Sequence, residues 1–412
     1  MTELDIALKA ASRRLLWRMG YSTRIDVPLR AIQASTAAGR GKGRSSTPES
    51  FTDLDVLGVS IDQAASVRSS IVDCKTGGAS TISRMFWVRG LQDFFEADDA
   101  FIVRDRAISR DARQLANRLG LTALSSEEVT AIESLHPVDL PLEIEPLALL
   151  FDPDEIARVM VRSTGLDARL HGLMEYRQFD YWVYPEHLNM MKMIEVLKST
   201  ADHLDVSNPI HTGIVLDCAW LYVLSSAHAL HALRAVHISD LSAGLSEYLA
   251  GGPSQLRQKR DIFEILSRLQ QDRQIPESVR VGVNPAYFDG LLELLTRLLR
   301  RNTVLTPLLR LLEFQSTMAI AGRKVSTATA FGSAYDRVAA KLAIDVVSFL
   351  VSTAGLHPGF VVSARTLLGD SGGVAGDNVS PSVDSQKLAV QTKPAPVDAI
   401  DSKTPPMLFG DE

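Results

Sequence analysis

Only two cysteines, Cys74 and Cys218, occur in the 412 residues, too few for a disulfide framework, so nothing implies an oxidising compartment. The first residues are amphipathic and charged and show no apolar h-region or cleavage site, which makes the cytoplasm the expected location. A one-sided charge is also missing: the formal net charge of −6 gives no whole-chain signature of polyanion binding. No segment repeats at a fixed period, which argues against a solenoid. A long apolar run free of polar groups is lacking too. The nearest, 212–237, carries Asp217, His228 and His231, each costly at a bilayer centre, so a buried core helix is expected there and no membrane contact. His228 and His231 lie one turn apart, but no further histidine or carboxylate motif completes a zinc site, and they read as ordinary core or surface residues.

What is present is the composition of a soluble globular protein, 46% hydrophobic and 22% charged, at a length that exceeds one ordinary core. Two domains and a tail are expected. Residues 2–19 repeat apolar positions at helical spacing and stop at Gly20. Residues 21–29 read as a strand with Arg and Asp interleaved, and 34–50 as a mobile basic loop containing Arg40, Lys42 and Arg44. From residue 1 to 44 there are nine Lys and Arg against three acids, a surplus suited to phosphate contact on one side of the molecule or to a solvated basic face. Two β-rich runs, 53–61 and 68–75, flank a turn-prone break at 62–66. A helix over 80–96, a strand over 100–104, a helix over 109–119, an edge strand over 121–124 and a helix from Ser125 or Ser126 complete a mixed α/β domain of residues 1–135. The Pro-punctuated stretch 136–147 reads as a linker. An all-α region follows over 148–368, with helices expected at 153–163, 188–204, 213–237, 254–271, 287–301, 306–321 and 335–354. The leucine-rich amphipathic stretch 291–312 should pack within the bundle or across a homo-oligomer interface. Residues 369–412 lose bulky side chains and are expected to be disordered, their Met407-Leu408-Phe409 end serving at most as a docking peptide for a protein partner.

The chemistry concentrates in the hairpin of the two β-rich runs. Successive strand residues face opposite ways, so Asp73 and Lys75 share a face and Cys74 points away. A hairpin centred near Ala64–Ala65 sets Asp55 opposite Cys74, and a shift of one position sets it opposite Asp73 or Lys75. Two carboxylates beside a lysine suit a divalent metal with a charge stabiliser, the equipment of phosphodiester hydrolysis. Asp53, two residues before Asp55, is the substitute if the register slips by two. It equally suits a turn cap. The Gly39–Arg44 loop lacks both the spacing and the strand-to-helix setting of a nucleotide-binding P-loop.

The spacing Asp55-x17-Asp73-x-Lys75, with the segments LDVLG, IVDCK and AFIVRDRAISRDARQLANRLGL around it, resembles the PD-(D/E)XK nuclease superfamily, in the branch similar to type IV restriction enzymes. The resemblance covers about Leu4 to Glu133. It implies a restriction-endonuclease-like α-β-β-β-α-β core. It also implies Mg²⁺, or Mn²⁺, held by Asp55, Asp73 and the main-chain carbonyl of Cys74, with Lys75 orienting the attacking water. Many members add a glutamate from the first helix. Lys9 stands in that place here, with Asp5 and Glu3 a turn or more earlier as the remaining acids. Arg84 and Gln92, on the helix after the hairpin, are where the family often sets polar residues facing the site. The expectation is a metal-dependent endonuclease acting on DNA, in genome defence or DNA repair, or else a catalytically silent nuclease-fold module that binds nucleic acid or protein.

Overall fold

The computed structural model describes residues 2–30, 50–77, 80–136, 138–276 and 282–369. The basic loop with Arg40, Lys42 and Arg44 and the tail from residue 370 lie outside the described residues. The chain begins with helix α1 (Glu3–Arg18), set by a capping box in which Thr2 Oγ1 accepts from the Asp5 N–H while the Asp5 carboxylate accepts from the Thr2 N–H. Strands β1 (Ser22–Arg30), β2 (Ser50–Ile61) and β3 (Val67–Lys75) follow, then helix α2 (Thr81–Phe94) and strand β4 (Asp99–Arg104). Helix α3 (Arg110–Arg118), strand β5 (Thr122–Ser125) and helix α4 (Ser126–Glu133) close this part.

The five strands form one mixed sheet in sequence order. The pairs β1–β2 and β2–β3 are antiparallel, and β3–β4 and β4–β5 are parallel. The parallel pairs follow from the α2 and α3 crossovers, since a parallel neighbour cannot be reached by a tight turn. The β2–β3 turn is closed by Asp62, whose carboxylate accepts from the N–H groups of Ala64 and Ser66 at 2.8 Å each. Ile61 therefore pairs with Val67, and Val56 with Val72. One face of the sheet meets α1 through Leu8, Leu15 and Leu16 against Val56, Val72 and Cys74. Gly58 permits that closeness, because a Cβ there would stand 3.0 Å from Leu16 Cδ1.

The helical region begins after 138–146, where Leu142 is buried, and includes helix α5 (Pro153–Thr164), a π-helical turn at Tyr176–Asp180 and the long helices Pro209–Leu233, Leu305–Ala321 and Arg337–Ala354. The leucines of 291–312 that repeat at helical spacing, among them Leu291, Leu298, Leu305 and Leu312, are all buried within the chain. Pro209–Leu233 is the one helix among the described residues long and apolar enough to cross a bilayer, and 89% of its apolar window is buried inside the protein. The described residues fall in one compact unit, and its main core runs from Leu57 and Ile71 on the sheet into the long helices. The 136–147 stretch thus separates two kinds of architecture that share a core.

A buried polar network ties the two parts together. Glu313 accepts from Arg13 at 2.8 Å, from the Thr23 N–H and Ser22 Oγ at 2.7 Å, and from Trp17 Nε1 at 3.1 Å. Arg24 on β1 and Arg177 on the π-helical turn both reach Asp217 of the long helix, at 3.0 and 2.8 Å.

Candidate functional site: a row of aspartates across three strands

The observed register brings Asp26 and Asp55 into line, with Asp73 one residue past the end of the β2–β3 ladder. Asp26 stands opposite Asp55 between the pairs Ile25–Val56 and Val27–Leu54, and continuing β2–β3 by one pair past Val56–Val72 sets Asp55 opposite Asp73. The β2–β3 ladder itself ends at Val56–Val72, one residue short of both Asp55 and Asp73. Like charges on neighbouring strands repel, so a row of carboxylates forms only where cations are supplied. Asp26 is also kinked, with φ of 54°, a left-handed conformation that aspartate tolerates better than most residues.

Lys9 supplies the first cation. It rises from α1 with its side chain 3% exposed, bonds Asp26, approaches Asp55 Oδ1 to 2.8 Å and lies 4.0 Å from Asp53. Burial alone would discharge it, but Asp55 and Asp26 outweigh burial and hold its pKa above the ordinary lysine value. One ammonium serving two carboxylates leaves each short of positive charge. Burial accordingly raises the pKa of Asp55 and of Asp26 above the usual aspartate value against the pull of Lys9. Asp55 Oδ2 also accepts from the Cys74 N–H at 2.8 Å and lies 3.9 Å from Lys75 Nζ. Lys75 is about one-third exposed and reaches the site from the solvent side.

Asp73 is held differently. Its carboxylate takes both Nε and a terminal nitrogen of Arg84, with Nε at 2.9 and 3.0 Å from the two oxygens. Arg84 also lies 5.9 Å from the Trp87 ring centroid. Arg104, opposite Lys75 on β4 and fully buried, donates to the Gly77 carbonyl at 2.8 Å. The Cys74 thiol faces α1, 3.3 Å from Ser12 Oγ, and burial pushes its pKa far up, which removes it as a nucleophile.

The remaining candidates have other employment. Asp5 accepts from Thr76 Oγ1 at 2.6 Å while capping α1, and these bonds, Thr76 first, hold its pKa down to about 2. It thereby fastens the helix to the residue after Lys75. Glu3 is exposed at the helix start. Gln92 is buried, with its amide spent on the carbonyls of Ala97 and Asp98 beyond α2.

All donors in the row are carboxylate oxygens, the ligands that hard divalent cations select. One oxygen each from Asp26, Asp53 and Asp55 lie within 4.8 Å of one another, against about 4.2 Å for the widest ligand pair around Mg²⁺. Asp26 Oδ2 is buried and has no hydrogen-bond partner among the described residues. Lys9 is the side-chain cation in that place, and the grouping by itself identifies no ion. Asp55 is common to this grouping and to the Asp55–Asp73 pair marked by the sequence. Asp26 was not marked, because a lone aspartate in a strand carries no spacing signal. No protein-family model, curated protein or solved structure matches the chain.

Proposed function

We propose that the sheet region hydrolyses phosphodiester bonds of DNA, with Asp55 and Asp73 holding Mg²⁺ or Mn²⁺ and Lys75 beside them. The observation that carries this reading is the approach of Lys75 Nζ to 3.9 Å from Asp55, with Lys75 open to solvent and Asp73 two residues before it on β3. The α-β-β-β-α-β order, with its antiparallel pairs followed by parallel ones, supports a restriction-endonuclease-like core, as does the resemblance of the hairpin to the PD-(D/E)XK superfamily. The bound ion would supply charge neutralisation at the phosphate and a water of lowered pKa. Lys75 would place a further positive charge where the scissile phosphate gathers negative charge. Arg84, freed from Asp73 as the ion binds, would turn to the substrate phosphate.

The test is nicking of supercoiled plasmid by purified protein in Mg²⁺ or Mn²⁺. Cleavage that is lost in Asp73→Asn and Lys75→Met supports the reading. A wild-type protein that leaves the plasmid intact, or variants that cut it equally well, overturn it.

A second reading is favoured by Lys9 and Arg84, which already neutralise the carboxylates: a catalytically silent module that keeps the fold and binds nucleic acid. DNA binding that weakens steeply with salt and never proceeds to cleavage would select it.

A further inference from the structure

Behind β1 lies a cavity of about 260 Å³, between that strand, α5, the π-helical turn and the helices Pro209–Leu233 and Leu305–Ala321. A cavity of about 150 Å³ suffices for benzene, so this one takes a molecule of roughly ten or more heavy atoms. Its lining combines the apolar side chains of Val159, Met160 and Ile320 with the charged groups of Arg24, Arg177 and Asp217.

Those charges do not balance. Arg24 gives two hydrogen bonds to Asp217, at 3.0 and 3.1 Å, and Arg177 gives one to the same carboxylate at 2.8 Å. Of the other lining charges, Arg13 is paired with Glu313, and Asp26 shares Lys9 with Asp55. Two guanidinium groups on one carboxylate leave this cluster with a surplus of one positive charge. Arg177 is 6% exposed, and its Nε has no hydrogen-bond partner among the described residues. Such a buried donor normally finds a partner, since leaving it unpaired costs ~1–3 kcal/mol. The π-helical turn that presents Arg177 and the half-buried Gln178 is itself a rare conformation, concentrated at functional sites.

We propose that this cavity binds a small organic anion, a carboxylate or phosphomonoester, whose charged head meets Arg177 and Gln178 and whose apolar body lies against Val159, Met160 and Ile320. Asp26 lines the same cavity and holds Lys9, so the ligand would sit one side chain away from the aspartate row. The proposal does not depend on the hydrolase reading, and its test reads binding alone.

The experiment is calorimetric titration of the full chain with benzoate, phenyl phosphate and hexanoate, beside the uncharged benzamide and hexanamide. At least one anion should bind at millimolar concentration or tighter, while its neutral counterpart does not. Arg177→Gln should weaken that anion by about tenfold or more, the worth of a charge-assisted hydrogen bond. Met160→Trp fills the cavity from an apolar lining residue without replacing a charged one and should abolish binding with the circular dichroism spectrum retained. It decides the matter if Arg177→Gln does not fold. The proposal is overturned if none of the three anions binds, if the amides bind as well as the acids, or if Met160→Trp binds as the wild type does.

Discussion

Replacing Lys9 by methionine keeps most of the side-chain length and removes the charge on which the aspartate row depends. In the wild type the ammonium bonds Asp26 and stands 2.8 Å from Asp55, with the side chains of Lys9 and Asp55 each 3% exposed. Without it Asp55 keeps only the Cys74 N–H and Lys75 at 3.9 Å, and Asp26 keeps only the more distant field of Lys75. Removing one partner of a buried pair costs ~3–5 kcal/mol. The partial exposure of Asp26 and the presence of Lys75 place the expected loss at the lower end, about 3 kcal/mol near neutral pH.

The pH dependence follows from the directions of the shifts. Asp26 and Asp55 have raised pKa values, so they favour the folded state at low pH and lose that contribution as pH rises through their folded values. Lys9 has a raised pKa, so its contribution is full at neutral pH and is lost only in alkali. Lys9→Met should therefore be most destabilised at neutral pH and approach the wild type as acid neutralises the two carboxylates. Urea unfolding followed by circular dichroism, at neutral pH and near the carboxylate range, measures this. Mg²⁺ should rescue the variant, by ~2.7 kcal/mol at a hundredfold excess over its dissociation constant. A variant as stable as the wild type at neutral pH, or equally destabilised at both pH values, would refute the electrostatic account. Absence of rescue by Mg²⁺ would strike the aspartate row from the candidate cation sites.

Two further substitutions probe the join between sheet and helices. Glu313→Gln leaves Arg13 buried without a counter-charge and turns an amide donor toward the donors Arg13, Trp17 and the Thr23 N–H, so ~3–5 kcal/mol should be lost in urea unfolding. A loss under ~1 kcal/mol would mean that the network is not a structural tie. Gly213→Ala would set a Cβ 2.6 Å from Ile320 Cγ1 and 2.9 Å from the Ser316 carbonyl oxygen, where two long helices touch. The overpacking should outweigh alanine's helical advantage and lower stability by about 2 kcal/mol, and an alanine variant more stable than the wild type would refute that packing.

The elements of the sheet region were legible because each carries local punctuation. Thr2, Ser109 and Ser125 cap helices, Gly20 and Gly120 end them at positive φ, and Asp62 closes the hairpin, so the expected elements differ from the observed ones by a few residues at their ends. Seven of the larger helices of the second part were readable for the same reason. Register was not legible to the residue. It depends on how many residues the 62–66 turn consumes, and Ala65 at φ of 56° settles that only in three dimensions. The tie between Arg13 and Glu313 joins residues 300 positions apart, which helical periodicity cannot pair.

The site was legible only in part, and the physical reason bears on function. Asp55, Asp73 and Lys75 lie close enough in sequence for strand alternation to gather them. Asp26 enters from a neighbouring strand and Lys9 from a helix, and both arrive only because the sheet forms and α1 packs across it. Neither addition is neutral. A third aspartate in the row deepens the shortage of positive charge, and Lys9 makes up part of it from within the chain. The more completely Lys9 and Arg84 neutralise the row, the more tightly an external ion must bind to compete with them. The residues that let this sheet fold with its acids buried are therefore the ones that decide between a working metal site and a silent one. Lys9→Met and Asp73→Asn act on opposite sides of that balance. A hydrolase should gain metal affinity from the first and lose cleavage with the second, whereas a silent module should only lose stability with the first.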